Sequence, residues 1–468
     1  MSRTAALSAV EARFTDGRFW ANLERLVSRQ TESQKPDNLA ALMSYLTEAL
    51  PTHLQALGFR WALHDNPDPA GCAFLVAERI ENPDFPTVLS YGHGDVTHGQ
   101  RRDWQDGVEP FALTQIGDRF YGRGSADNKG QHLINLHALA SVIEARGSLG
   151  FNVKLLIEMG EEIGSPGLHA FCAANTELLN ADVLIASDGP RLQPDVPTVF
   201  MGARGGLSFE LRVDLRDGAH HSGNWGGLLA DPAMILAQAL STITDPRGQI
   251  RIPEWRPDSL TPEIRGTLAA LPSFDGSDPA IDHNWGEADL TPAERVFGWN
   301  SFAVLAMQSG KPEAPVNAIS GHASATCQLR YVVGTDADNI LPSLRKHLDT
   351  HGFHQVEVVP TDGGAFPATR LDPGHPWAQF AILSIKATTG APPHVLPNLG
   401  GSLPNECFAK VLGLPTIWVP HSYRGCNQHA PNEHVLASTC RQAGQVMTGL
   451  FWDLGDTETP HPPKLSED

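Results

Sequence analysis

The sequence lacks the features that mark several classes of protein. Its 468 residues contain only six cysteines, and no two of them form a Cys-x-x-Cys pair. This excludes a disulfide-based scaffold and a thiolate zinc site of that type. It contains no run of 18 apolar residues and, within residues 1–14, no apolar segment followed by a cleavage site. We therefore expect no membrane span, no secretory signal and a cytoplasmic protein with reduced thiols.

Basic residues are also scarce. The chain has 34 Lys and Arg against 53 Asp and Glu, a formal net charge of −19 at pH 7. Because nucleic acids and anionic membranes are held mainly by clustered Lys and Arg, this balance argues against both as partners. Hydrophobic residues make up 41% of the chain, as in a globular protein. The excess acids either only keep the protein soluble or are also concentrated at a site.

Strands and helices alternate in the first third of the chain. Apolar residues three positions apart predict a helix over 129–145. Buried strands are indicated by apolar, β-rich segments at 72–76, 87–91, 153–157 and 183–186. This alternation predicts an α/β fold, with a mostly parallel sheet flanked by helices. The pattern resumes in the last part of the chain, with a strand at 415–419 and a final helix at 433–451.

The middle of the chain has a different pattern. Residues 207–215 alternate between apolar and polar, as in a half-solvated strand. We predict that 205–365 form an inserted α+β domain, which interrupts a domain made of 1–204 and 366–456. The tail at 457–468 is acidic and rich in proline, and we predict that it is disordered.

Histidines and acids follow the ends of the predicted strands, where open α/β sheets bind their ligands. Taken together, two histidines and several carboxylates with glycine-rich flanks match the nitrogen and oxygen ligands of a zinc or dizinc centre. A bound cation would also make clustered carboxylates tolerable. The residues concerned are His93, Asp95, Asp127, Glu161, Glu162, Asp188 and His429, with His421 in the same loop as His429.

These motifs resemble those of the dizinc metallopeptidases that include acetylornithine deacetylase, succinyl-diaminopimelate desuccinylase, aminoacylase, glutamate carboxypeptidase and carnosinase. The resemblance spans nearly the whole chain and is strongest to the carnosinase-like dipeptidases. It implies that the inserted domain is a lid and dimerisation domain, and therefore that the protein is a homodimer.

The resemblance also implies a set of metal ligands. His93 and Asp188 would bind one divalent cation, Glu162 and His429 would bind the other, and Asp127 would bridge them. Zinc is the expected metal, although sites of histidine and carboxylate also accept manganese or cobalt.

Two further acids have implied roles at this centre. Glu161 would be the general base and acid, and Asp95 would orient the ligand His93. The two cations would lower the pKa of a shared water and so produce hydroxide at neutral pH. The Asp127–Asn128 peptide bond is expected to be cis.

Other residues of the resemblance concern the substrate. The segment from Ala219 to Gly227 is similar to the carnosinase His-Ser-Gly segment, and its histidine, His221 or alternatively His220, would reach the site of the partner subunit. A substrate carboxylate would be held by Arg330 and by the Gly-Gly-Ser loop with Gly401 and Ser402. Asn317 would line the lid side of the site. Asn398 and Leu399 depart from the family pattern before that loop, which leaves the specificity open.

The sequence thus predicts a dimetal hydrolase that cleaves a peptide bond next to a free carboxylate. An N-acyl-amino-acid deacylase shares every catalytic residue and is the alternative, so the substrate is either a dipeptide or an N-acyl amino acid. A mononuclear zinc hydrolase would leave Asp127 without a bridging role. A non-catalytic binding protein on the same scaffold would lack Glu161 or a ligand, and none is lacking.

Overall fold

The computed structural model describes residues 2–274, 279–361, 366–456 and Pro462. The α-helices α1 to α14 are, in chain order, Arg3–Thr15, Arg18–Val27, Leu39–Ser44, Leu50–Ala56, Lys129–Arg146, Leu168–Ala174, Thr176–Leu179, Ser222–Trp225, Pro232–Ile243, Pro262–Ala269, Pro292–Phe297, Ile340–Thr350, Pro376–Thr389 and Ala437–Leu454. None of the described helices combines the length and apolar character that a membrane crossing requires.

The strands β1 to β17 are Arg60–His64, Phe74–Arg79, Thr87–His93, Thr114–Ile116, Arg119–Tyr121, Asn152–Glu158, Val183–Ala186, Pro190–Arg191, Thr198–Phe200, Gly205–His221, Ser301–Ser309, Ala318–Tyr331, Glu357–Pro360, His394–Leu396, Thr416–Trp418, Ser422–Tyr423 and His434–Leu436. Short 3-10 helices lie at Arg101–Asp103, Glu161–Ile163, Pro253–Trp255, Ala337–Asn339 and Arg424–Cys426, and π-helical turns at Tyr45–Ala49 and Cys407–Val411.

The chain divides into two compact units. Unit 1 contains residues 1–202, 371–396 and 404–468, and unit 2 contains 203–370 and 397–403. The segment 397–403 therefore belongs with the inserted part of the chain, and not with the interrupted domain as the sequence predicts. The reason is that its hydrogen bonds go to arginines of unit 2, as described below. The predicted disordered tail lies outside the described residues, apart from Pro462.

Unit 1 has the predicted α/β fold. Its described residues form an eight-stranded sheet in the order β1-β2-β6-β3-β7-β15-β9-β14. The sheet is mixed, with parallel pairing at β6-β3, β3-β7, β7-β15 and β9-β14. Helix α5 is largely buried and packs on β3, α1 and α14. Flanking helices thus cover strands that are themselves almost wholly buried, as a central parallel sheet requires.

Three neighbouring parallel strands end at one edge of this sheet. β3 lies between β6 and β7, and the register pairs His93 at the end of β3 with Glu158 at the end of β6. The turn of Glu161–Ile163 follows β6, and Asp188 lies two residues after β7. Parallel pairing therefore brings the polar segments after these strands to one place.

The last helix begins later than the sequence predicts. Residues 434–436 form β17, which pairs antiparallel with β5, and α14 starts only at Ala437. Glu433 is consequently not the first residue of a helix. It lies buried just before an edge strand, where its carboxylate accepts hydrogen bonds from another loop.

Unit 2 is an α+β unit. Its described residues form a four-stranded antiparallel sheet in the order β11-β12-β10-β13. Residues that alternate along β10 and β12 pack against α9 and α12 to form a separate apolar core, with Phe209, Leu211, Leu329 and Leu344 among its buried members. The outer strand β11 is largely exposed.

Candidate metal centre

The first group of possible ligands joins the ends of β3 and β7 with the loop before α5. His93 is fully buried, and its Nε2 lies 3.1 Å from Oδ1 of Asp127 and 3.6 Å from Oδ2 of Asp188. One ligand atom from each of the three lies within 4.8 Å of the other two. The Asp127–Asn128 peptide bond is cis, as the resemblance predicts.

A second group shares Asp127 with the first. Nε2 of His429 lies 3.0 Å from Oδ2 of Asp127 and 3.0 Å from Oε2 of Glu162. His429 has a φ of 60°, in the left-handed region that few residues other than glycine adopt. The two oxygens of Asp127 thus face different groups, one towards His93 and the other towards His429.

These donors fit a pair of divalent cations. Within the part of the chain that the structure describes, Oδ2 of Asp188 is buried and accepts no hydrogen bond. Burial, reinforced by the charge of Asp127, raises the pKa of Glu162 to about 7 and that of Asp188 to about 6. Because a cation among these carboxylates would favour their ionised forms, the cluster suits cation binding. The oxygen and nitrogen donors suit zinc and similar transition metals.

Asp95 connects His93 to the loop after β6. Its Oδ1 lies 3.3 Å from Nδ1 of His93 and accepts a hydrogen bond from the backbone N–H of Glu161, while Oδ2 accepts one from the N–H of Glu162. An imidazole engaged at Nδ1 presents Nε2 to the rest of the cluster. Asp95 therefore positions one member of each donor group.

Glu161 is half-buried on the same turn as Glu162. Burial raises its pKa well above the usual range against the opposite effect of the His93 charge, and the negative charges of Asp188 and Glu162 add to the rise. Glu161 belongs to neither donor group. A carboxyl with a raised pKa beside such a cluster is suited to accepting and returning a proton.

Glu433 is a positioning residue that the sequence pattern does not identify. Its carboxylate accepts hydrogen bonds from the backbone N–H groups of Gly124, Ala126 and Asp127 at 3.0–3.1 Å. It also pairs with the buried guanidinium of Arg123 at 2.8 Å. Glu433 thus fixes the loop that carries Asp127. The only sign of this in the sequence is an acid four residues after His429.

The predicted histidine of the inserted segment lies at an exposed end of unit 2. His221 ends β10, and its Nδ1 accepts a hydrogen bond from the N–H of Gly223. The N–H of the following Ser222 donates to the carbonyl of Asn317, so the structure brings Asn317 beside this segment. His220 instead lies against the ring of Trp225.

The predicted carboxylate-binding residues also meet in unit 2. Nη1 of Arg330, on β12, donates to Oγ of Ser402 at 2.8 Å. Gly206 faces them from β10, and a Cβ at that position would lie 3.1 Å from Oγ of Ser402. Glycine at 206 therefore leaves room beside the Arg330–Ser402 contact. Gly401 precedes Ser402 and is half-buried.

Comparison with known proteins decides the family. The model of Peptidase family M20/M25/M40 matches residues 89–453. The chain belongs to this family. The resemblance and the α/β fold with an inserted unit are thereby confirmed, and this M20-family protein is a metallopeptidase.

Individual relatives agree with this assignment over most of their length. The cysteinylglycine-S-conjugate dipeptidase of Corynebacterium striatum is 27% identical over 414 residues, 86% of this chain and 88% of that protein. The β-Ala-His dipeptidase of Mus musculus is 35% identical over 408 residues, 83% of this chain and 81% of that protein. An M20 metallo-carboxypeptidase from Sulfolobus solfataricus has a TM-score of 0.81 at 25% identity, covering 93% of this chain and 99% of that one.

We predict that Glu433→Gln weakens metal binding in this M20 peptidase, because an amide cannot accept all the hydrogen bonds of the carboxylate and leaves Arg123 unpaired. Replacing a group that supports a ligand typically lowers metal affinity by about 10- to 100-fold. Metal titration of the chelator-treated protein measures the effect, with the exposed Glu24→Gln as the control. Equal affinities in the two variants would contradict a positioning role.

Proposed function

We propose that this M20-family enzyme binds two divalent cations and hydrolyses the peptide bond of a dipeptide that ends in a free carboxylate. The observation that carries the proposal is the sharing of Asp127 by two donor groups, with Glu161 beside both. A single cation would need only one oxygen of Asp127, whereas both oxygens are directed to histidine-containing groups.

In this proposal His93, Asp127 and Asp188 hold one cation, and Asp127, Glu162 and His429 hold the other. Zinc is the proposed metal, and manganese and cobalt suit the same donors. When bound, such ions supply Lewis acidity and lower the pKa of water. Asp95 keeps His93 and the turn after β6 in place.

Glu161 carries the proton. Its carboxylate accepts a proton from the attacking water and returns it to the amide nitrogen as the carbon–nitrogen bond breaks, so that the products are a carboxylate and a free amine. Its pKa, which burial raises, supports this role, because a carboxylate with a raised pKa takes up a proton from water more readily than an ordinary one.

Substrate recognition is proposed for unit 2. Arg330, Gly401 and Ser402 bind the substrate carboxylate, for which the planar guanidinium and the loop are suited. Asn317 lines the site, and His221 stabilises the oxyanion in the site of a second copy of the chain. The exposure of His221 and its proximity to Asn317 support these two roles.

The proposed substrate class follows the relatives, whose names specify cysteinylglycine conjugates, Cys-Gly and β-Ala-His. Their agreement on dipeptides favours a dipeptide over an N-acyl amino acid. We also propose a cytoplasmic location, which is supported by six cysteines that are all buried free thiols.

Glu161→Gln should abolish turnover without emptying the site. Loss of a general base lowers kcat by about 10²- to 10⁴-fold, and the isosteric amide leaves both donor groups intact. Kinetics and elemental analysis of the same preparation measure the two effects, and about two metal ions per chain are expected from the pair of donor groups. The exposed Glu177→Gln is the control. Unchanged activity would refute the role of Glu161, and metal-free protein after metal addition would refute the dimetal proposal.

A hydrolysis screen should show faster cleavage of dipeptides than of N-acyl amino acids. The screen uses two matched pairs, Cys-Gly with N-acetylglycine and β-Ala-His with N-acetylhistidine. The members of each pair share the C-terminal residue and differ only in the acyl part. Liberated amino acid is measured after metal is added. Preferential release from the N-acetyl compounds would replace the dipeptidase proposal by the deacylase alternative.

We further propose that the protein is a homodimer through unit 2. Of the thirteen large apolar residues that are exposed in the described chain, eight lie in unit 2, including Val304, Leu305 and Met307 on β11. An exposed apolar edge strand invites pairing with another strand. A second copy of β11 would satisfy both its backbone groups and its side chains.

Leu305→Asp should therefore convert the dimer to a monomer, because it places a charge on the exposed apolar strand. Leu305 is 57% exposed, and the matched control is Leu383→Asp in unit 1, where leucine is 61% exposed. Sedimentation velocity gives the molar mass of each. A wild-type monomer, or a Leu305→Asp dimer, would contradict the proposed interface.

A further inference from the structure

Three arginines surround the segment 397–403 within unit 2, and each contacts a different part of it. Arg370 donates from Nε and Nη2 to Oδ1 of Asn398 at 3.2 and 3.1 Å. Arg330 donates to Oγ of Ser402. Arg204 contacts the glycine between them, donating from Nε to the carbonyl of Gly400 at 2.7 Å.

None of these three positive charges is paired with an acid in the part of the chain that the structure describes. Among the described residues, no carboxylate lies within ion-pair distance of any of the three guanidinium groups. The partners are carbonyl, hydroxyl and amide oxygens, all of them neutral. Buried cations without an anion are costly, so the binding of an anion here would be favourable.

Arg204 holds the segment more completely than the other two arginines. Its backbone N–H lies 3.1 Å from both the carbonyl of Leu399 and that of Gly401, and Ala203 forms a parallel bridge with Leu399. Its Nη1 also donates to Oγ of Ser301 at 3.2 Å. Ser301 is the residue of β11 that pairs with Arg330. Arg204 therefore contacts both the segment 397–403 and the strand beside Arg330, on either side of the proposed carboxylate site.

Arg204 is also the most deeply buried of the three, with 8% of the residue exposed. Burial, and then the charge of Arg330, lower its pKa to about 10, which leaves it fully charged at neutral pH. Burial likewise lowers the pKa of Arg330 and brings that of Arg370 to about 10. Among the described residues, the charged neighbour of Arg204 is thus a second cation, Arg330, and not an acid.

We propose that Arg204 is a positioning residue for carboxylate recognition, which fixes the Leu399–Ser402 segment beside Arg330 and supplies a second positive charge behind it. The inference rests on the proposed function, because it takes the anion to be the free carboxylate of the substrate. Arg204 acts through Gly400 and through its charge, and Arg330 and Ser402 make the contacts with the substrate.

The proposed role predicts that arginine at 204 cannot be replaced without loss. Lysine would keep the charge, but its single ammonium group cannot reproduce the planar arrangement by which Nε and Nη1 reach Gly400 and Ser301 together. Methionine would fill similar space without charge or donors. The two substitutions therefore separate the charge of Arg204 from its hydrogen bonds.

The test compares β-Ala-His with its C-terminal amide, and Cys-Gly with its amide, as substrates of the full-length metal-loaded enzyme. KM and kcat are measured for three variants, Arg204→Met, Arg204→Lys and the control Arg212→Met. Arg212 is an exposed arginine of β10, the strand that begins at Gly205 directly after Arg204. It forms an ion pair with Glu210. Thermal unfolding and metal content of each variant show whether it is folded and loaded.

We expect Arg204→Met to raise KM for the free acids by about 10- to 100-fold, the range for loss of a charge-assisted interaction, with kcat changed by less than about threefold. The KM for the amides should stay the same, and Arg204→Lys should recover part of the loss. Wild-type kinetics are expected for Arg212→Met.

Two results would overturn the inference separately from the proposed function. If wild type prefers the acids and Arg204→Met keeps that preference, Arg204 has no role in carboxylate recognition although the proposed function stands. If KM for acids and amides rises equally, Arg204 is merely structural.

If wild type itself cleaves acids and amides equally well, the carboxylate part of the proposed function fails and the inference falls with it. Should Arg204→Met be unfolded, the acid-to-amide preference of Arg204→Lys decides in the same way.

Discussion

The arrangement around Asp127 depends on holding several carboxylates together against their mutual repulsion. Asp127, Glu162 and Asp188 lie with two histidines in one small volume, and burial removes most of the water that would screen them. Such a cluster is tolerable only with compensating positive charge, supplied either by protons or by cations. The loops that carry Asp127 and Glu162 are held in place by hydrogen bonds to acids outside the two donor groups.

Two further acids, Asp95 and Glu433, hold these loops in place through hydrogen bonds. Neither of them belongs to a donor group. Asp95 accepts from the backbone of the turn after β6, and Glu433 accepts from the backbone of the loop that carries Asp127. Main-chain donors that would otherwise be unsatisfied are thus used to position ligands. Because Glu433 also neutralises Arg123, the loop holds a balanced pair of buried charges in addition to the uncompensated acids of the cluster.

Residues of the cluster can be predicted from the sequence where they lie at the ends of parallel strands, because such strands end at one edge of the sheet. His93 ends β3, and Glu161, Glu162 and Asp188 follow the ends of β6 and β7. Parallel neighbours must bring those ends to one edge. Glu433 and Arg204 follow no such rule, because their roles depend on contacts with residues distant in sequence. The same holds for the segment 397–403, whose place in unit 2 is determined by arginines at 204, 330 and 370.

The two units gather side chains of opposite charge. Unit 1 gathers the carboxylates of Asp127, Glu162 and Asp188, and unit 2 gathers three arginines around 397–403 whose hydrogen-bond partners, within the described residues, are neutral oxygens. A neutral amide at Asn398 keeps the second cluster positive, since a carboxylate there would have paired with Arg370 internally. The segment 397–403 itself contains no acid, in a chain with a net charge of −19. In the proposed function, an external ion of opposite sign would complete each cluster, a metal ion in unit 1 and the substrate carboxylate in unit 2.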